Sequence, residues 1–84
     1  MRKITLSDRA KSELKGLDPP VAKRISNKLN SIVDDIDNLS IKPLKGKLKG
    51  YYRIKLNDDY RAIFFVDGEE IIVMSIGHRK DIYR

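Results

Sequence analysis

The sequence predicts an α+β domain over residues 1–84, with a hairpin of two helices on one face of a four-stranded, mainly antiparallel sheet in the order β-α-α-β-β-β. Three observations carry that expectation. Apolar residues recur at helical spacing up to Ile36, the period changes to two from Tyr51 onward, and a short alternating segment precedes the first helix.

Residues 2–6 alternate polar and apolar, with Ile4 and Leu6 on one face of a short, half-buried strand. Ser7 is placed to cap a helix. Its hydroxyl can accept from an early backbone N–H, Asp8 complements the positive helix end, and Ala10, Leu14 and Leu17 follow at helical spacing. Gly16 and Asp18-Pro19-Pro20 then close this helix and open the next, because a residue before proline is pushed out of the α region while proline suits a first turn. In the second helix Val21, Ile25, Leu29, Ile32 and Ile36 form a single stripe, with Lys23, Arg24, Asn27, Lys28 and Asn30 on the solvated side. Residues 38–50, rich in Lys and Gly and interrupted by Pro43, predict an exposed connection. Residues 51–56, 60–66 and 70–77 read as strands joined by two hairpin signals, Asn57-Asp58-Asp59 and Asp67-Gly68.

A chain of 84 residues buries only roughly 60% of the surface of its unfolded form, so the core is thin. The absence of cysteine excludes disulfides and thiolate metal sites and fits a reducing cytoplasm. No apolar run approaches the ~20 residues that cross a bilayer, and no signal-peptide stretch follows Met1. The expectation is a soluble cytoplasmic protein with no membrane partner, cofactor or metal. Eighteen Lys and Arg against 12 Asp and Glu give a net charge of +6, a field that attracts polyanions. The cations are regional: residues 42–61 carry seven, including Lys45, Lys47 and Lys49, and residues 79–84 carry three more.

Strand parity turns these cations into a candidate site. If Asn57, Asp58 and Asp59 form a three-residue loop, Lys55 lies opposite Arg61, and Ile54, Leu56, Tyr60, Ala62, Phe64 and Val66 share the apolar face. Arg53, Lys55 and Arg61 then converge on the other face, where like charges directly opposed are unfavourable unless an anion lies between them. A two-residue loop would swap the faces and bury Arg61. Ile63, Phe65, Ile72, Met74 and Ile76 are expected on the same open face as the cations, an amphiphilic surface suited to cover by a partner chain.

The segments Tyr52-Arg53-Ile54-Lys55-Leu56, Tyr60-Arg61-Ala62-Ile63-Phe64 and Ile76-Gly77-His78-Arg79-Lys80-Asp81-Ile82-Tyr83 resemble the C-terminal half of the RelE/ParE toxin superfamily, and the RelE branch in particular. The element order extends the resemblance over nearly the whole chain. It implies the toxin of a type II toxin–antitoxin system, an mRNA interferase that acts on messenger RNA in the ribosomal aminoacyl site. It also implies a cognate antitoxin that silences the toxin within a hetero-oligomer. By that resemblance the catalytic lysine-rich strand falls on Arg53 and Lys55, the phosphate-binding arginine on Arg61, the late arginine on Arg79 and the base-stacking tyrosine on Tyr83, with His78 beside them. Lys45, Lys47 and Lys49 are further candidates for contact with RNA.

Metal-free RNA cleavage uses the ribose 2′-hydroxyl as nucleophile and needs a proton acceptor, cations for the phosphorane and a donor for the departing 5′-oxygen. Arg53, Arg61 and Arg79 suit charge stabilisation because guanidinium stays protonated and its fork matches phosphate oxygens. Lys55 is the better base, being the one of these strand cations that can give up its proton. His78, the sole histidine, is a candidate acid, although a histidine just after a strand also serves to cap the strand end. Two rival readings stand beside this one: a ParE-like inhibitor of DNA gyrase, and a non-catalytic relative that binds RNA or an acidic partner through the same cations.

Overall fold

A computed structural model describes residues 3–35 and 41–82. Strand β1 (Lys3–Leu6) leads into helices α1 (Asp8–Lys15) and α2 (Pro19–Asp35), then a short edge strand β2 (Ile41–Pro43), a 3₁₀ turn (Gly46–Leu48), and strands β3 (Tyr52–Lys55), β4 (Tyr60–Asp67) and β5 (Glu70–His78). The strands lie in the order β1-β5-β4-β3-β2; β1 runs parallel to β5 and every other neighbour is antiparallel. No described helix is long and apolar enough to cross a membrane.

The capping expected of Ser7 is present. Its Oγ accepts from the Ala10 N–H at 3.1 Å and donates to the Met74 carbonyl at 2.8 Å, so one side chain starts α1 and ties it to β5. Asp18 opens α2 by accepting the Ala22 N–H through its carbonyl at 2.9 Å, directly ahead of Pro19. Ile25, Leu29 and Ile32 of α2 are buried with Ala10 of α1 against Ile54, Ala62, Phe64, Ile71, Val73 and Ile76 of the sheet. Ile36, the expected last member of the stripe, lies outside the described residues. Full burial of each such side chain contributes about 1.5–3 kcal/mol, which makes this one cluster the main source of stability in a chain without disulfides.

The sheet has five strands, not the four expected, because β2 forms inside the stretch read as an exposed connection. Ile41, Lys42 and Pro43 pair with Ile54, Arg53 and Tyr52. Three residues containing a lysine and a proline carry no alternation to read, and proline is tolerated here because β2 is an edge. Ile41 alone of the three packs against the core.

The β3–β4 connection has the three-residue form. The Leu56 N–H donates to the Tyr60 carbonyl at 3.0 Å, and Asn57 Oδ1 accepts from the Asp59 and Tyr60 N–H groups, each at 2.8 Å. Lys55 is therefore paired with Arg61, Ile54 with Ala62 and Arg53 with Ile63. Gly68, with φ of 63°, turns β4 into β5.

Strand β5 departs from simple alternation. Ser75 pairs with Ile63 but Val73 pairs with Phe64, so Met74 is an extra residue, a β-bulge. Past the bulge the parity inverts. Ile76, expected on the open face, pairs with Ala62 and is buried beneath the helices at 2% exposure, while Ser75 and Gly77 take the open face opposite Ile63 and Arg61.

Candidate functional site

Two rungs of cations cross the face of the sheet away from the helices. Lys55 stands opposite Arg61, with Gly77 next to Arg61 on β5. Two residues along, Lys42 of the edge strand stands opposite Arg53, followed by Ile63 and Ser75. Lys42 was hidden from sequence reading because β2 itself was.

The loop between β3 and β4 resolves the repulsion at the first rung. Asp58 Oδ1 lies 3.4 Å from Lys55 Nζ. Arg61 Nη1 donates to the carbonyls of Asn57 at 2.7 Å and Tyr60 at 3.0 Å. Lys55 and Arg61 are each drawn toward the loop by a different acceptor. Because Asp58 is almost wholly exposed, its ion pair with Lys55 is a weak, salt-screened contact that an incoming phosphate can replace.

Arg79 is exposed and its backbone N–H donates to the Asp59 carbonyl at 2.7 Å, so the chain leaving β5 is fastened to this same loop. His78 is placed otherwise. It pairs with Tyr60, its ring edge-on at 5.7 Å, on the helix side of the sheet, while the strand cations occupy the opposite side. Its Nδ1 accepts the Lys80 N–H at 3.2 Å and its Nε2 lies 4.0 Å from Asp59 Oδ1. Its carbonyl accepts from the Asp81 and Ile82 N–H groups, which turns the chain back toward the open face. Tyr83 lies outside the described residues.

Ile82 lands on Gly77: a Cβ built on that glycine would meet Ile82 Cδ1 at 3.2 Å. Between Ile82 and the 3₁₀ turn the open face is concave, a cleft of about 390 Å³ with Ile63 and Ser75 at its base. Lys47 lines it, as do Tyr51 and Arg9, which no motif or spacing singles out. Lys45 and Lys49 are exposed on either side of the turn. Among the described residues the open face thus combines cations, a nonpolar hollow and no covering element beyond the 3₁₀ turn and the 79–82 turn.

A two-helix hairpin on one side of the sheet is the architecture of toxins of the RelE type. The chain belongs to the ParE toxin family of type II toxin–antitoxin systems, parDE, whose profile matches residues 4–83. Among solved structures it is similar to the RelB–RelE antitoxin–toxin complex of Methanococcus jannaschii, with 30% identity, 93% of each chain covered and a TM-score of 0.71. The YoeB–YefM heterotetramer of Staphylococcus aureus gives 28% identity over 92% of this chain and 95% of that one, at a TM-score of 0.71. The RelBE2 toxin–antitoxin complex of Mycobacterium tuberculosis shares the fold at 17% identity, covering 93% and 98% with a TM-score of 0.82. No curated protein sequence matches.

Proposed function

We propose that this chain cuts messenger RNA in the ribosomal aminoacyl site, and that a cognate antitoxin holds it silent in a cytoplasmic hetero-oligomer. The observation that carries the reading is the pair of cation rungs, Lys42–Arg53 and Lys55–Arg61, beside a concave surface. Resemblance to the RelE branch supports it, as does the occurrence of the similar M. jannaschii and S. aureus chains in complexes with RelB and YefM.

In this reading the scissile phosphate displaces Asp58 and settles between Lys55 and Arg61. Lys55, reacting in its deprotonated form once Asp58 has left, takes the proton of the 2′-hydroxyl, whose oxygen attacks phosphorus; the P–O5′ bond breaks, leaving a 2′,3′-cyclic phosphate and a 5′-hydroxyl. Arg53, Arg61 and Arg79 stabilise the charge that builds on the phosphorane oxygens, a role that fixed, always-protonated donors perform without reorganisation. The departing oxygen is protonated by water on this open face. His78 acts by position: its ring and carbonyl hold the 79–82 turn, and so Arg79, against the loop.

Primer extension on translated messages tests the proposal. New 5′ ends within the aminoacyl-site codon are expected, and they should vanish with Arg61→Ala. The family description favours one other reading, since it names ParE and parDE: inhibition of DNA gyrase without RNA cleavage. Loss of supercoiling activity in vitro together with intact transcripts would establish that reading in place of ours.

A further inference from the structure

The cleft beside the cation rungs is not used by the cleavage chemistry, yet its composition is specific. Ser75 is the one buried polar residue among the described residues, at 6% exposure, and the bulge at Met74 turns it to the open face, where it lines the cleft. No buried side-chain polar atom among the described residues lacks a partner, so this hydroxyl is no orphan; at the base of the cleft it offers a ligand both a donor and an acceptor. Around it stand nonpolar surfaces from Leu48 and Ile82 and the ring of Tyr51, which Phe65 holds edge-to-face at 5.6 Å. Two exposed cations from separate elements, Arg9 of α1 and Lys47 of the 3₁₀ turn, also line it.

A ligand matching this set has a flat nonpolar body, a polar edge and an attached anion. A nucleobase with its phosphate has all three, and single-stranded RNA is recognised by splaying such bases onto aromatic and nonpolar surfaces. At about 390 Å³ the cleft lies at the lower end of the range for small-ligand sites, roughly 300–1,000 Å³. Its placement agrees with this. The base of the cleft, Ile63 and Ser75, belongs to the Lys42–Arg53 rung, two residues along the strands from Lys55 and Arg61. Two residues span roughly 6.6 Å, a distance an extended RNA strand covers in about one nucleotide.

Resting on the reading of this face as an RNA-cleaving surface, we propose that the cleft is a base-recognition subsite. It seats the nucleobase next to the scissile phosphate, with Ser75 reading its polar edge, Tyr51 flanking its face and Arg9 and Lys47 holding the neighbouring phosphate. Ser75 and Tyr51 are then specificity-determining residues, distinct from the cations that promote cleavage.

The test is a methyl-labelled NMR titration of the whole chain with each of the four ribonucleoside 5′-monophosphates, paired with cleavage profiling. Saturable shifts are expected at the Ile63, Met74 and Ile82 methyls and not at Ile25 in the core. The affinity for the best nucleotide should fall about ten-fold with Ser75→Ala and with Arg9→Ala/Lys47→Ala, each checked for an unchanged folded spectrum. Ser75→Ala should also alter which base is preferred at one codon position. Absence of saturable shifts, shifts indifferent to these variants, or a response to a nonpolar peptide and to no nucleotide would each overturn the subsite. Cleavage by wild type without nucleotide shifts removes the subsite alone; shifts without cleavage remove the nuclease reading and, with it, the assignment of the cleft beside a scissile phosphate.

Discussion

Lys55 and Arg61 face one another across the β3–β4 hairpin, and the loop that joins their strands supplies an acceptor to each: the Asp58 carboxylate to Lys55, backbone carbonyls to Arg61. The repulsion inherent in opposed cations is thereby relieved without an anion bound, and the acceptor at Lys55 is a weak one. An exchange of Asp58 for phosphate needs only a side-chain rotation on an exposed loop. This favours a site that is ready for an anion yet stable without one.

Arg61→Ala should lower transcript cleavage by about 10²–10³-fold, the loss typical of a removed oxyanion donor. Circular dichroism of this variant should show the fold retained, because the guanidinium serves loop carbonyls and not the core. A folded Arg61→Ala variant with undiminished cleavage would remove it from the chemistry.

Lys42→Ala addresses the residue that sequence reading overlooked. As a phosphate contact it should weaken single-stranded RNA binding evenly across sequences and reduce the salt slope of log K by about 0.7. Titrations at several salt concentrations read this directly; an unchanged slope would show that the second rung stops at Arg53.

Asparagine 57 organises the loop through two backbone N–H groups that its side chain accepts. Asn57→Ala should cost about 1 kcal/mol in urea unfolding. It should also lower cleavage, since the carbonyl and the carboxylate that hold Arg61 and Lys55 both belong to this loop. Equal cleavage by a destabilised Asn57→Ala variant would separate loop geometry from function.

The bulge at Met74 makes a sharp prediction from two isoleucines on one strand. Ile72→Asn should be tolerated, being on the open face opposite Phe65, whereas Ile76→Asn places an amide beneath the helices and should cost roughly 3 kcal/mol or more. Comparable melting temperatures for the two would contradict the inverted parity.

Ser7→Ala removes both the cap of α1 and the hydroxyl donation to β5. A loss of about 1–2 kcal/mol is expected. For a domain of this size each kcal/mol lowers Tm by roughly 4–8 °C, well within calorimetric reach.

Much of this architecture was legible in the sequence, and particular residues show why. Ser7, the Pro19-Pro20 pair and the Ile25-Leu29-Ile32 stripe act locally, so their spacing states their conformation. The three-residue loop was readable because the alternative would have buried Arg61, and one such penalty settles a register. Three features were not legible. Strand β2 is too short to show a period, so Lys42 stayed hidden. Met74 looks like any alternating residue, because a bulge is defined by its partner strand, and simple alternation therefore puts Ile76 on the wrong face. His78 follows a strand directly, and only the pairing with Tyr60 shows that its ring lies on the helix side.

The contact of Ile82 with Gly77 has a practical consequence for anyone handling this protein. The peptide doubles back at His78 and lays Ile82 along the cleft, so a bulkier side chain at residue 82 would narrow the hollow. Such a variant alters the hollow while leaving the paired cations of both rungs in place, a useful property when the two are to be measured apart.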